Sequence, residues 1–219
     1  MAPAVRFRSA VALLGRFPAL AGVDLDVGAG EIVLLQGANG AGKTTLLRAC
    51  AGLVQVVSGE AEVLGHDLCR DRRTVRRSIG LLGHTGTLYD DLTVEDNVRF
   101  AVRAGGGDTA SVAPAMARLG VDGRLRSVAV GRLSAGQRRR VAIAALVARA
   151  PALWLLDEPH AGLDAAGRDL LDDLVRSAVA GGATVILASH EAERAGALAG
   201  RSVVVGGGRI LAREPAHVA

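Results

Sequence analysis

Aromatic side chains are nearly missing from this 219-residue chain: three Phe, one Tyr and one Trp, 2 % of the residues. That scarcity removes the stacking platforms on which single-stranded nucleic acids are held, so no nucleic-acid partner is expected. Lysine is scarcer still. Of the 26 Lys and Arg residues, only Lys43 is a lysine. Cysteine occurs twice, at Cys50 and Cys69, in no metal-type spacing and without the further pairs of a disulfide framework. Both read as ordinary thiols in a reducing compartment. Long apolar runs are also lacking. Crossing a bilayer takes ~18 apolar residues, and the longest clean run, Val141 to Ala148, is far shorter. Ala10 to Leu14 is too short for the core of a secretion signal. The chain is expected to be soluble by itself and to reach a membrane only through a partner.

What is present is aliphatic. Half of the residues are hydrophobic (50 %), and the chain is long enough to bury a substantial core. The net charge is +4, with basic residues gathered in two short runs, Arg70 to Arg77 and Arg138 to Arg140. Such runs read as solvated faces, or as contacts with an acidic partner or a membrane surface. Continuous apolar stretches at 31–36, 79–82, 152–156, 183–188 and 202–205 alternate with helical patterns. That alternation predicts an α/β fold with a mostly parallel sheet covered on both faces. Pro151 is expected to open one of these strands, where a missing N–H is tolerated. The first thirty residues and 60–64 read as an antiparallel side sheet. Residues 93–149 read as mostly helical, interrupted at Gly105-Gly-Gly107. No repeat and no long linker divides the chain, so one domain over 1–219 is expected, with a helical subdomain at roughly 85–150.

The lone lysine lies in Gly37-Ala-Asn-Gly-Ala-Gly-Lys-Thr-Thr45, between a predicted strand and a helix from Thr44 to Leu53 closed by Gly52. This is the phosphate-binding loop pattern Gly-x4-Gly-Lys-Thr. Glycines let Gly37, Ala38, Asn39, Gly40, Ala41 and Gly42 turn their amides inward around a polyphosphate, and the helix adds its positive end. Lys43 has to reach the β- and γ-phosphates as a compact charge, a task the bulkier planar guanidinium does not meet. Thr44, followed by Thr45, supplies a hydroxyl for Mg²⁺. A second apolar stretch ends in Asp157-Glu158. Asp157 is placed to hold Mg²⁺ through water. Glu158, expected to point toward solvent, is placed to polarise an attacking water. Ser134-Ala135-Gly136-Gln137 opens a helix, a second anion site. His190 follows a predicted strand, at the strand end where open α/β sheets bind ligands.

In their order along the chain, phosphate loop, Ser134–Gln137, Asp157-Glu158, Asp164 and His190, the motifs resemble the ATP-binding-cassette ATPases of transporters, over nearly the whole chain. The resemblance implies a P-loop (RecA-like) core with an antiparallel β subdomain and a helical subdomain. It implies ATP and Mg²⁺ as cofactors, catalysis by Lys43, Glu158 and His190, and Asp164 in the loop Ala161-Gly-Leu-Asp164. It further implies a head-to-tail dimer with a second copy or a related ATPase, Ser134 and Gly136 of one subunit capping the ATP of the other. Closure would drive a multi-span membrane permease from the cytoplasmic face of the inner membrane, with this chain as a peripheral subunit. Two positions depart from the family. Leu14 stands where an aromatic usually stacks on adenine, with Phe17 the nearest alternative. His84 stands where a glutamine usually contacts Mg²⁺ and the attacking water, and is expected to replace it. Gly83-His84, the stretch Leu88-Tyr-Asp-Asp-Leu-Thr93 and the Ser-Ala-Gly-Gln form of the signature resemble the branch that exports haem for c-type cytochrome maturation. The alternatives are an exporter of drugs, lipids or other small molecules, and a non-transport ATPase of the family.

Overall fold

The computed structural model describes residues 3–83 and 88–215. Two sheets share the fold. The smaller comprises β1 (Pro3–Leu14), β2 (Phe17–Gly28), β4 (Val56–Val63) and β5 (His66–Asp67), in the order β2-β1-β4-β5, all antiparallel. The larger contains β3 (Ile32–Gln36), β6 (Ile79–Leu82), β7 (Leu153–Asp157), β8 (Thr184–Ala188), β9 (Arg201–Gly206) and β10 (Arg209–Pro215). Its order is β10-β9-β3-β8-β7-β6, with only the edge strand β10 antiparallel to its neighbour. The expected pairing of a parallel sheet with an antiparallel side sheet is therefore observed.

Strand periodicity explains how one sheet serves two cores. Along β3, Val33 and Leu35 face the side sheet and helix α1 (Lys43–Cys50), while Leu34 faces the opposite side. There it meets the layer formed by α2 (Val94–Ala104), α3 (Val112–Arg118), α4 (Ala135–Arg149) and α5 (Ala165–Ala180). In β7, Leu153 and Leu155 belong to the first core, Trp154 and Leu156 to the second. Each fully buried leucine contributes about 2 kcal/mol, which accounts for the continuous apolar runs at the centres of these strands. A short helix, α6 (Ala192–Leu198), joins β8 to β9.

Some boundaries differ from expectation. Helix α1 begins at Lys43 and ends at Cys50, with Gly52 in the left-handed region (φ 66°) turning the chain away. Pro151 does not open β7. It lies buried two residues before the strand, where a Cβ on Gly80 of β6 would come within 2.7 Å of its ring. No described helix is long and apolar enough to cross a membrane.

Candidate functional site

Three neighbouring parallel strands build the site. In the order β3-β8-β7, their carboxyl ends deliver the glycine loop, Ser189-His190 and Asp157-Glu158 to the same edge of the sheet. The central position of β8 sets His190 between the other two.

In the glycine loop, residues 37–40 are exposed, while Ala41 and Thr45 are buried beneath them. Lys43 is 9 % exposed despite its charge. Its ammonium donates to the carbonyls of Gly37 (2.6 Å) and Ala38 (3.1 Å), which hold it at the mouth of the loop. Gly42 precedes α1 with φ 111°, and no side chain among the described residues caps the helix. A Cβ at that position would come 3.0 Å from the Ala19 carbonyl, so β2 closes directly on the loop. The first-turn amides of α1 are thus left for an external acceptor, the arrangement that binds phosphate.

The hydroxyl of Thr44 donates to Asp157 Oδ2 at 2.8 Å. Both oxygens are hard donors of the kind Mg²⁺ prefers, and the hydrogen bond brings them to one place. Those residues fit the metal expected of this loop.

Glu158 departs from the expectation of a carboxylate turned to solvent. Its Oε2 lies 2.8 Å from His190 Nδ1, and the backbone N–H of His190 donates to the same oxygen at 3.3 Å. The side chain of Glu158 is 22 % exposed, that of His190 73 %. Glu158 also has φ 46°, a left-handed conformation that costs a non-glycine residue roughly 1–3 kcal/mol. The strain is held on both sides: its N–H donates to the Ala188 carbonyl (2.8 Å), and its own carbonyl accepts from Arg139 (2.7 Å).

Arg139 lies in a basic run expected on a solvated face or at an acidic partner or membrane surface, yet it is engaged within the chain. Successive residues on a helix point about 100° apart, so the three arginines 138–140 reach three different elements. Arg138 pairs with Asp90, Arg140 with Asp164, and Arg139 donates to the carbonyls of Gly83 (2.8 Å), Pro159 (3.3 Å) and Glu158. Burial pulls the Arg139 pKa below the usual guanidinium range, opposed by Asp157 and Glu158. The available signal was the segment's place at the start of a helix already marked by a motif.

That motif forms a capping box. Ser134 Oγ accepts from the Gln137 N–H (3.2 Å), and Gln137 Oε1 accepts from the Ser134 N–H (3.0 Å). The Ser134 amide is thus engaged within the chain. Ala135 is exposed, and Gly136 packs so closely that a Cβ would lie 3.3 Å from the Gly162 carbonyl. Asp164 caps α5 by accepting from the Gly167 N–H (2.9 Å). His84 lies outside the described residues.

Cys50 is buried in the core and its thiol is pushed up to about 12 by that burial, while Cys69 is exposed. Neither adjoins the loop chemistry.

Comparison with known proteins follows the same lines. A family model described as "ABC transporter" matches residues 20–161. The cytochrome c biogenesis ATP-binding export protein CcmA of Shewanella frigidimarina is 37 % identical over 170 residues, covering 78 % of this chain and 78 % of that protein. The daunorubicin resistance ATP-binding protein DrrA2 of Streptomyces coeruleorubidus is 38 % identical over 219 residues, covering 96 % of this chain and 66 % of that protein. A solved ATP-binding subunit of an ABC transporter superposes with a TM-score of 0.90 at 27 % identity, covering 96 % of this chain and 89 % of that one.

Proposed function

The chain belongs to the ABC transporter family, and from that premise we propose that it is the ATPase subunit of an exporter that moves haem for c-type cytochrome maturation. It binds ATP and hydrolyses it to ADP and phosphate. The observation that carries the site assignment is the hydrogen bond from Thr44 to Asp157, which joins the phosphate loop to the carboxylate beside Glu158.

In the proposed mechanism the loop amides and Lys43 take the β- and γ-phosphates, the ammonium exchanging the Gly37 and Ala38 carbonyls for phosphate oxygens. Mg²⁺ held by Thr44 and Asp157 would neutralise charge on the phosphates. Glu158 accepts a proton from the attacking water as its oxygen bonds to the γ-phosphorus. The bond to the β-phosphate oxygen then breaks, and ADP leaves. His190, paired with Glu158, orients that carboxylate. His84 is proposed to take the place of the family's usual glutamine.

Partners follow from the same reading. Ser134 and Gly136 would cap ATP held by a second copy or a related ATPase, with Gln137 releasing the Ser134 amide on closure. A groove bordered by Leu53, Tyr89 and Phe100, each about half exposed, would receive the permease. Its wall is set in advance: Tyr89 and Phe100 meet edge-to-face at 5.1 Å, and buried Asn97 bonds both backbone groups of Tyr89. Such docking would place the chain on the cytoplasmic face of the inner membrane.

A second reading, export of a drug-like molecule, is favoured by the similarity to the daunorubicin resistance protein over 96 % of this chain. Deleting the gene separates the two. Loss of covalently haem-stained cytochromes supports the first reading. Intact cytochromes with new sensitivity to an anthracycline support the second. Purification of the tagged chain should bring down a multi-span membrane protein in either case.

A further inference from the structure

The loop after Glu158 contains a buried histidine for which the hydrolytic chemistry has no use. His160 is 1 % exposed, and its Nε2 lies 2.7 Å from Asp172 Oδ1. A carboxylate only accepts, so Nε2 carries the proton. Nδ1 is buried with no partner among the described residues. An aliphatic side chain would fill this place without an unsatisfied nitrogen, which costs about 1–3 kcal/mol. What the imidazole adds is its bond to Asp172.

The other oxygen of Asp172 is also engaged. Arg194 Nη1 lies 2.5 Å from Oδ2, while Nη2 of the same guanidinium reaches Asp169 at 2.9 Å. Asp172 itself is 7 % exposed, in the middle of α5. One carboxylate therefore grips two segments. His160 is two residues beyond Glu158. Arg194 is four residues beyond His190, in the first turn of α6. Arg168, also on α5, adds a longer contact to Glu191 (3.3 Å). The segments held from behind are those whose front ends form the 2.8 Å Glu158–His190 pair.

We propose that Asp172, bonded to His160 and Arg194, is a positioning residue that sets the spacing of Glu158 and His190 for hydrolysis. The proposal rests on the reading of those two residues as the hydrolytic pair. α5 is then the common support of both catalytic loops, because its two arms end on a single side chain. A displacement near 1 Å costs up to about 100-fold in rate, so a loosened brace is read in turnover.

The test uses the full chain, with ATPase followed in steady state and single turnover and thermal melting measured alongside. Asp172→Asn and Arg194→Gln are each expected to lower kcat by about 10- to 100-fold, with KM for ATP changed less than about twofold. His160→Leu should behave alike. His160→Gln, whose amide nitrogen occupies the place of Nε2, should recover most of that loss. In a His190→Ala background, Asp172→Asn should lower the single-turnover rate less than about twofold further, because the pair it positions is already gone. The same multiplicative loss in both backgrounds would overturn the proposal, as would a fall in melting temperature with kcat unchanged, or a KM that rises as kcat falls. Should Asp172→Asn fail to fold, Arg194→Gln at the more exposed arm carries the same comparison. Glu158→Gln is the separate control. If it keeps normal turnover, the hydrolytic pair itself is wrongly assigned; if it is inactive while the brace variants turn over normally, only the brace is wrong.

Discussion

Gly37 faces the backbone carbonyl of Val205 so closely that a Cβ at residue 37 would sit 2.1 Å from that oxygen. The backbone there has φ 138°, outside the range L side chains adopt readily. This first glycine of the loop is thus required by β9 at its back, whatever binds at its front. Gly37→Ala is expected to lower stability by about 2–4 kcal/mol and to weaken ATP binding more than tenfold. Differential scanning fluorimetry and nucleotide titration measure the two effects. An alanine variant with native melting temperature and affinity would mean that β9 yields without cost.

Lys43→Arg should damage turnover nearly as much as Lys43→Ala. The ammonium sits at 2.6 Å and 3.1 Å from two loop carbonyls, 9 % exposed, in a space shaped for a compact cation. A guanidinium is planar and needs fork geometry. Hydrolysis by Lys43→Arg within about threefold of the native rate, a step smaller than 1 kcal/mol, would remove the geometric account of this single lysine.

Glu158→Gln should keep ATP affinity and lose about 10²- to 10⁴-fold in turnover, the scale of a removed general base. With closure preceding hydrolysis, the variant should run as an ATP-bound dimer on gel filtration. A monomeric variant with weak binding would contradict the role given to the carboxylate.

The contrast between these residues and Arg139 shows what the sequence makes legible. Phosphate-loop chemistry is local: Gly37 to Thr45 fold on themselves between one strand and one helix, so spacing reveals them. The parallel sheet was legible for a similar reason, since strands buried on both faces are apolar along most of their length. Arg139, His160 and Asp172 act across elements. Their roles depend on how α4 and α5 lie against the strand ends, and periodicity does not encode that. A run of arginines looks the same whether it meets water or three different partners. The turn of Glu158 toward His190 was hidden likewise, because it requires β7 and β8 to be neighbours.

Acid should loosen the link between α4 and the loop before α5. The Asp164 carboxylate is held below its ordinary value of 3.8, first by the Gly167 N–H and then by Arg140. A depressed pKa means that the contribution to stability is present above the unfolded-state value and is lost as pH falls through the folded-state value. Melting temperature should therefore decline below about pH 4, and Asp164→Asn should show a shallower decline there while being less stable at pH 7. Parallel declines for the two proteins would assign the acid sensitivity to other carboxylates.

For adenine recognition, the hairpin between β1 and β2 points to Phe17. Leu14 and Phe17 are cross-strand partners at the hairpin tip, 51 % and 79 % exposed. Two residues further along β2, the Ala19 carbonyl adjoins Gly42 of the phosphate loop, and Ala21 N donates to Gly208 O at 2.8 Å. That anchoring brings the tip beside the nucleotide loop, with the ring of Phe17 offering a π-face where Leu14 offers none. Stacking of a base on an aromatic side chain is worth about 1–3 kcal/mol, so Phe17→Ala should raise KM for ATP roughly 5- to 160-fold with little change in kcat. Leu14→Ala should change KM less than about threefold. Fluorescent ATP analogues titrated against both variants give the affinities directly. A larger loss at Leu14 than at Phe17 would show that adenine rests on aliphatic surface, and that the missing aromatic was replaced by packing rather than moved along the hairpin.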